Sequence, residues 1–200
     1  MKKKIKRQLQ LLSACIAVLL VAACIPCITV VVISPRRTPS VLGASIDAHH
    51  GAGRKNFAEN IYSRPALEGF VISYTHSVNK GRIHDYYECR NVGGKKAFIL
   101  KKSVFVSYGA GIPEPEETAG CSFTVTDTGY VLDDLNKELC SFLLAVGVIA
   151  EHSITIGENE YFLKNYVPVQ TSLLFSIKRV SVLDYILCEQ KLGGKNEKKL

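Results

Sequence analysis

The chain has 200 residues, of which 47% are apolar and 22% charged, and this composition excludes a disordered protein. Its net charge of +7 is concentrated at the ends of the chain, since residues 2–7 alone carry five positive side chains. Between Phe57 and Gln190, 12 Lys or Arg residues stand against 16 Asp or Glu residues, so this part is mildly acidic. We therefore expect no nucleic-acid-binding face.

A long apolar segment follows the N-terminal basic cluster. Residues 11–33 contain no charged side chain, and Ser13 and Thr29 are the only polar residues among them. A helix of that length spans a hydrocarbon core of about 30 Å. Positive residues favour the cytoplasmic side of a membrane. The pattern predicts a cytoplasmic basic tail at 1–10, a transmembrane helix at 11–33 and a single-pass cell-membrane protein whose C-terminal domain is extracytoplasmic.

Cleavage of this segment is the alternative to an uncleaved anchor. A cleaved signal peptide has a shorter apolar region, of about 7–15 residues. The residues Val21-Ala22-Ala23-Cys24 also resemble a lipoprotein cleavage box, although the mature chain would then begin with the apolar stretch 24–33. An uncleaved anchor explains the whole run more simply. Cys24 and Cys27 have the C-x-x-C spacing, but an apolar setting raises a thiol pKa and disfavours redox chemistry.

The rest of the chain reads as a linker followed by a β domain. Pro and Gly residues without periodicity predict a linker at 34–62. Short β-branched and aromatic runs between turn residues predict an all-β domain at 63–190, a compact antiparallel sandwich or barrel of about eight strands. We expect a disordered tail at 191–200. The predicted strands cover 67–78, 82–89, 97–108, 121–126, 130–132, 145–156, 160–163, 172–180 and 181–187, and a helix near 132–144 is a weaker alternative.

Four cysteines lie in the predicted β domain: Cys89, Cys121, Cys140 and Cys188. In an oxidising compartment they would form two disulfides, and three pairings are open. The alternative is that they remain unpaired, buried thiols.

Side-chain alternation around His76 predicts a buried polar pair. With a period of two, His76 shares the apolar face of its strand with Tyr74, while Ser77 points the other way. A hairpin loop of two or four residues would place His76 opposite Asp85, with Tyr87 on the face of Asp85. We predict that this carboxylate satisfies a buried imidazole, and the alternative is that it orients His76 as a general base. No nucleophile motif or metal-ligand spacing accompanies the pair, so we expect no metal and no cofactor.

A glycine-rich loop, Tyr108-Gly109-Ala110-Gly111-Ile112-Pro113, is the other candidate site. Gly109 and Gly111 permit positive φ, which would let backbone N–H groups converge on an anion, and Pro113 follows them. The acidic residues that follow, Glu114, Glu116 and Glu117, would repel an anion. We therefore favour a loop that closes the sheet, or an acidic contact with a basic partner.

Several motifs together resemble one protein family. They are Tyr74-Thr75-His76-Ser77-Val78, the acidic-aromatic strand Asp85-Tyr86-Tyr87, the loop from Tyr108 to Pro113, Thr128-Gly129-Tyr130 and Val146-Gly147. In order and spacing these resemble, over about 67–180, the bacterial and archaeal family of domain of unknown function 1850. This sequence has Asn79 and Asp85 where the family pattern commonly has Glu.

The family resemblance implies a function, whereas the residues considered by themselves do not indicate one. Members of the family are small membrane-anchored proteins encoded beside TRAP transporters of the TAXI type. The resemblance implies an extracytoplasmic accessory or binding module that contacts the transporter's membrane subunits or its solute-binding protein. An extracytoplasmic enzyme using His76 and Asp85 is the second hypothesis, and a purely structural envelope protein is the third.

Overall fold

The structure, a computed structural model, describes residues 13, 23–36, 60–106, 120–188 and 191–193. These residues form an all-β, antiparallel architecture, which confirms the predicted fold class. The elements are β1 (Pro26–Arg36), β2 (Ile61–Ser63), β3 (Phe70–Thr75), β4 (Arg82–Val92), β5 (Lys95–Phe105), β6 (Ser122–Thr126), β7 (Gly129–Asp133), β8 (Lys137–Leu139), β9 (Ser141–Ala145), β10 (Ser153–Ile156), β11 (Asn159–Phe162), β12 (Ser172–Ser181) and the helix α1 (Val182–Leu187).

Two sheets make up the fold. The smaller sheet has the strand order β2-β1-β12-β9. The larger sheet has the order β11-β10-β3-β4-β5-β7-β6, and β8 also pairs with β5. Buried side chains from both sheets form one core cluster, which includes Val31 and Phe175 from the smaller sheet and Phe70 and Phe98 from the larger one. The molecule is therefore a β-sandwich.

Strand β1 corrects the predicted transmembrane helix. Residues 26–33, expected to be its C-terminal part, lie in β1 between β2 and β12. Val30 to Ile33 are buried on both faces of the sheet, with at most 2% of each residue exposed. A strand buried on both faces is continuously apolar, so its sequence cannot be distinguished from that of a buried helix. Apart from Ser13 and 23–25, the rest of the predicted helix lies outside the described residues.

The predicted linker and tail are also shorter than expected. Residues 34–36 complete β1, and Ile61 to Ser63 form β2 against it. At the other end, Leu192 is buried, and its backbone N–H donates to the Tyr62 carbonyl at 3.1 Å. The segment 191–193 is therefore packed against the smaller sheet, and the remainder of the tail lies outside the described residues.

Three further expectations about secondary structure were wrong. Residues 146–152, predicted as part of a strand at 145–156, form the loop between β9 and β10. Residues 182–187, predicted as a strand, form α1, because Ser181 caps the helix by accepting a hydrogen bond from the Asp184 N–H at 2.9 Å. The segment 132–144, where a helix was the alternative, contains the end of β7 and the strands β8 and β9. No helix in the described parts of the chain is both long enough and apolar enough to cross a membrane.

Candidate functional site

His76 lies in a turn and does not face Asp85. Strand β3 ends at Thr75, which pairs with Arg82, so six residues connect β3 to β4. The His76 Nδ1 accepts hydrogen bonds from the backbone N–H groups of Val78 and Asn79 at 3.3 and 3.4 Å. These bonds hold the turn, and in this longer connection the register places Asp85 opposite Ile72. The predicted His76–Asp85 pair is therefore wrong, and Ser77 is an exposed turn residue.

Asp85 and Tyr87 do lie together, on the core-facing side of β4. The Ser103 hydroxyl on β5 donates a hydrogen bond to the Asp85 carboxylate. Burial raises the pKa of Asp85, and the Ser103 hydrogen bond opposes this shift. Burial and the nearby Asp85 charge raise the pKa of Tyr74 to about 12, and they also raise the pKa of Tyr87. Asp85 is therefore a carboxyl group that the fold biases toward its protonated form.

His152 joins this group from the loop before β10. Its ring stacks on Tyr74 with the centroids 5.5 Å apart, and its Nδ1 accepts a hydrogen bond from the Gly147 N–H at 3.1 Å. Burial, with a smaller contribution from Arg82, lowers the pKa of His152. We call Tyr74, Asp85, Tyr87, Ser103 and His152 the inner polar cluster. Its ionisable groups can hold protons, but they are largely buried.

The opposite face of the same strands carries a second network. Arg82 on β4 donates to the Ser153 hydroxyl at 2.7 Å and forms an ion pair with Glu160 at 3.2 Å. The Ser153 hydroxyl also donates to the Glu160 carboxylate. Ser73 Oγ and His84 Nδ1 lie 2.8 Å apart on the neighbouring strands β3 and β4. We call these five residues the outer polar network.

The sequence predicts which residues of β3 and β4 share a face in the outer polar network, but it does not predict which other strand joins them. Alternation along β3 and β4 places Ser73, Arg82 and His84 on one face, but it does not show that β10 pairs with β3 and brings Ser153 opposite Ser73. Ser73 and His84 have the spacing of a nucleophile and a base. Only 2% of Ser73 is exposed, however, so a substrate has no approach to its hydroxyl.

An open depression of about 440 Å³ adjoins the network on the larger sheet. The Lys102 ammonium lies over the Tyr86 ring inside it, 4.6 Å from the centroid. Acidic and basic side chains are mixed around the rim, including Glu88, Lys101 and Asp133. This charge pattern favours neither an anionic nor a cationic ligand.

One end of the sandwich exposes apolar side chains. Val78 in the β3–β4 turn, Val106 after β5, and Val148 and Ile149 in the loop after β9 are each more than half exposed. The Thr75 N–H donates to the Ala150 carbonyl at 2.7 Å, which joins the turn to the loop. We call these four residues the distal apolar surface. An exposed apolar patch of this kind is typical of a protein-binding site.

The remaining sequence candidates do not add to a site. The loop with Gly109, Gly111 and Pro113 lies outside the described residues. Cys89, Cys121 and Cys140 are free thiols, and the Cys188 thiol donates to the Asn60 carbonyl at 3.4 Å. Within the described ranges, no group of three His, Cys, Asp or Glu side chains is arranged to hold a metal ion.

Two motifs of the family resemblance have clear structural roles. A side chain at Gly129 would collide with the Phe105 carbonyl oxygen, so glycine permits the close approach of β7 to β5. The Val146-Gly147 pair supplies the N–H that binds His152. Both are roles in the sheet and the core.

Comparison with known proteins bears on this same region. No curated protein and no solved structure matched the chain. Residues 70–163 match the profile of the family described as Domain of unknown function (DUF1850). This range runs from β3 through β11 and contains both polar clusters. The match supports the family resemblance over residues 70–163, which include most of the larger sheet.

Proposed function

We propose that this protein is a membrane-tethered, extracytoplasmic binding module that serves as an accessory subunit of a TAXI-type TRAP transporter. The observation that carries the proposal is the distal apolar surface, where Ile149 is 70% exposed. Exposing such side chains to water is unfavourable, and docking a partner on them would bury them. The family resemblance supports the transporter as the source of that partner.

The position of the distal apolar surface supports one transporter component over the other as the proposed partner. Pro26 at the start of β1 pairs with Ser181, whereas Arg36 at its end pairs with Ser172. Ser172 also pairs with Ala145, immediately before the exposed loop. The surface therefore lies at the end of β1 away from the N-terminal segment, about 33 Å from Pro26 at roughly 3.3 Å per residue. At that distance from a membrane tether, we infer that it contacts the soluble solute-binding protein and not the membrane subunits.

The arrangement of polar groups supports binding over catalysis. The enzyme hypothesis required His76 beside Asp85, and His76 instead holds a turn through its Nδ1. The Ser73 and His84 pair is closed to substrate by burial of Ser73. Hydrogen bonds within the fold hold both polar clusters, as from Ser103 to Asp85 and from Arg82 to Ser153, which is the usual arrangement of buried polar groups.

The test is cross-linking in membranes of the native cell, followed by purification of the full-length protein in detergent. We expect the wild-type protein to recover the transporter's solute-binding protein. A variant with Val148→Asp and Ile149→Asp should recover at least tenfold less. Val92→Asp, at the β4–β5 turn on the opposite end of the larger sheet, is the matched control and should recover as much as wild type.

Two outcomes would contradict the proposal. One is failure to recover any transporter component with the wild-type protein after cross-linking. The other is equal recovery by the Val148→Asp, Ile149→Asp variant, provided that circular dichroism shows the same fold.

A further inference from the structure

The structure divides the apolar N-terminal run into two parts with different roles. Val30 to Ile33 are core residues of the sandwich, and β1 begins at Pro26. Only residues 11–25 of the uncharged run therefore precede the folded domain. Even as a continuous helix these 15 residues would reach about 22 Å, which is short of a hydrocarbon core of about 30 Å. The 13 residues of this run that precede Cys24 instead match the apolar region of a cleaved signal peptide.

Cys24 lies directly at the boundary between these two parts. It is exposed, two residues before β1, and its thiol is free. The residues Val21-Ala22-Ala23 precede it, so small side chains occupy the positions beside the Ala23–Cys24 bond. A basic segment, a short apolar segment and small residues before cysteine are the three parts of a lipoprotein signal. The apolar sequence that follows Cys24 is no obstacle, because it is the buried strand β1.

Exposed apolar side chains lie at the end of the smaller sheet from which Cys24 extends. Pro26 pairs with Ser181, so Cys24 and α1 leave the smaller sheet at the same point. Ile186 and Leu187 of α1 are 65% and 67% exposed, and Ile25 and Leu183 are also exposed. On β12, Lys178 and Arg179 are exposed close to the same edge. Apolar side chains beside basic ones are what a surface resting on anionic lipid requires.

We propose that Cys24 is the lipid-modified N-terminus of the mature protein and that Ile25, Leu183, Ile186 and Leu187 rest on the membrane. The inference relies on the proposed function only in placing the domain outside the cytoplasm. The Cys24 sulfur attacks the glyceryl carbon of a phosphatidylglycerol lipid, forming a C–S bond and breaking the C–O bond to phosphate. The thiol proton is lost, and glycerol phosphate leaves with the bonding electrons. Water then hydrolyses the Ala23–Cys24 peptide bond, which frees the Cys24 amine.

This attachment explains the geometry of the molecule. Two acyl chains give stable membrane anchoring, whereas one chain gives only reversible binding. The anchor is followed immediately by β1, without a flexible linker, so the domain has little freedom to tumble. Contact between α1 and the lipid would then direct the distal apolar surface away from the membrane.

The first test compares Cys24→Ser with Cys27→Ser, an exposed cysteine three residues away, in the full-length protein. Both are expressed in a bacterium that processes lipoproteins and is fed a palmitate analogue. Wild type and Cys27→Ser should incorporate the label and yield a protein beginning at residue 24 with a diacylglyceryl group by mass spectrometry. Cys24→Ser should remain unlabelled and uncleaved. A wild-type protein that retains Met1, begins at another residue or carries its lipid on Cys27 would overturn the proposal.

The second test uses the absence of tryptophan from the sequence. Ile186→Trp and Ile149→Trp each introduce a single fluorophore, one at α1 and one on the distal apolar surface. After reconstitution of the lipidated protein into phosphatidylcholine vesicles with 30% phosphatidylglycerol, the emission of Ile186→Trp should shift to the blue and be quenched by brominated lipid. Ile149→Trp should show neither change. Equal quenching of the two would overturn the proposed orientation.

These results are independent of the cross-linking experiment. A lipidated protein that recovers no transporter component would refute the proposed function and leave Cys24 as the attachment site. Recovery of the solute-binding protein by a chain that carries no lipid would refute Cys24 as the attachment site and leave the proposed function in place.

Discussion

At the residue scale, burial makes Asp85 a carboxyl group that is protonated more readily in the native state than in the unfolded chain. Its side chain faces the core between Tyr74 and Tyr87, and the Ser103 hydroxyl is its hydrogen-bond donor. Transferring a charged carboxylate from water into such a site is unfavourable, so burial raises its pKa. Ionisation of Asp85 therefore destabilises the native state relative to the unfolded chain.

Asp85→Asn should stabilise the protein at neutral pH, because asparagine keeps the acceptor for Ser103 and cannot ionise. Below the unfolded pKa of 3.8 the carboxyl group is protonated in both states. As pH rises through the raised native pKa, wild type loses stability and the variant does not. We expect the variant's advantage in Tm, measured by thermal denaturation from pH 4 to pH 8, to grow to a few degrees, the size that about 1 kcal/mol produces in a domain of this length.

Ser103→Ala is the control for this prediction, because it removes the donor that stabilises the charged form. It should lower Tm at pH 8 more than at pH 4. His84 and His152, whose pKa values burial lowers, also make stability depend on pH, but their contributions cancel when the variant is compared with wild type. A constant difference between Asp85→Asn and wild type across the pH range would show that Asp85 is not destabilised by burial.

At the element scale, β1 is the strand on which the smaller sheet depends. It pairs with β12 over ten residues and with β2 on its other side. Val31 and Ile33 contribute to the core between the sheets, and Val30 and Val32 form a second cluster on the other face with Val180. The central residues of β1 are therefore buried on both faces of the sheet, and none of their side chains is exposed to solvent.

Val31→Asp should prevent folding at 37 °C, because it buries an unpaired charge at a fully buried position. We expect a loss of at least about 4 kcal/mol. Ile25→Asp, one residue before β1 and 57% exposed, should fold like wild type. Circular dichroism and urea denaturation of the domain beginning at residue 24 would measure both. Folding of Val31→Asp with wild-type stability would contradict the assignment of 26–36 to a core strand.

At the scale of the whole molecule, stacked aromatic rings join the two sheets. Phe142 on β9 stacks on Phe175 of β12 with centroids 4.7 Å apart, and on Tyr87 of β4 at 4.9 Å. Phe70 on β3 also stacks on Tyr87 at 5.2 Å and on Phe175 at 6.2 Å. The stack crosses from the smaller sheet to the larger one and therefore couples their stabilities.

Phe142→Ala should cost about 3–4 kcal/mol, the usual loss for removing a packed phenylalanine, in a single cooperative transition. Phe123→Ala is the comparison, because Phe123 belongs to a separate cluster near β6 and β7. It should cost less and leave the core intact. Urea denaturation followed by tyrosine fluorescence and circular dichroism would measure both. A smaller loss for Phe142→Ala than for Phe123→Ala would show that the aromatic stack does not hold the sheets together.

The sequence by itself determined the properties that depend on neighbouring residues. Side-chain alternation placed Ile72 and Tyr74 on the inner face of β3, and turn residues marked the limits of most strands of the larger sheet. It also placed Asp85 and Tyr87 on one face, because strand geometry alone requires it.

Tertiary structure decided whatever depended on contacts between distant segments. The run 26–33 was compatible with a membrane helix until β12, about 150 residues later, supplied the hydrogen bonds that make it a strand. His76 does not meet Asp85 because Thr75 pairs with Arg82, which leaves His76 in the connection and places Asp85 opposite Ile72. Ser153 and Glu160 joined Arg82 only because β10 pairs with β3. Local pattern fixes which face a residue takes, whereas pairing across the chain fixes which residues that face meets.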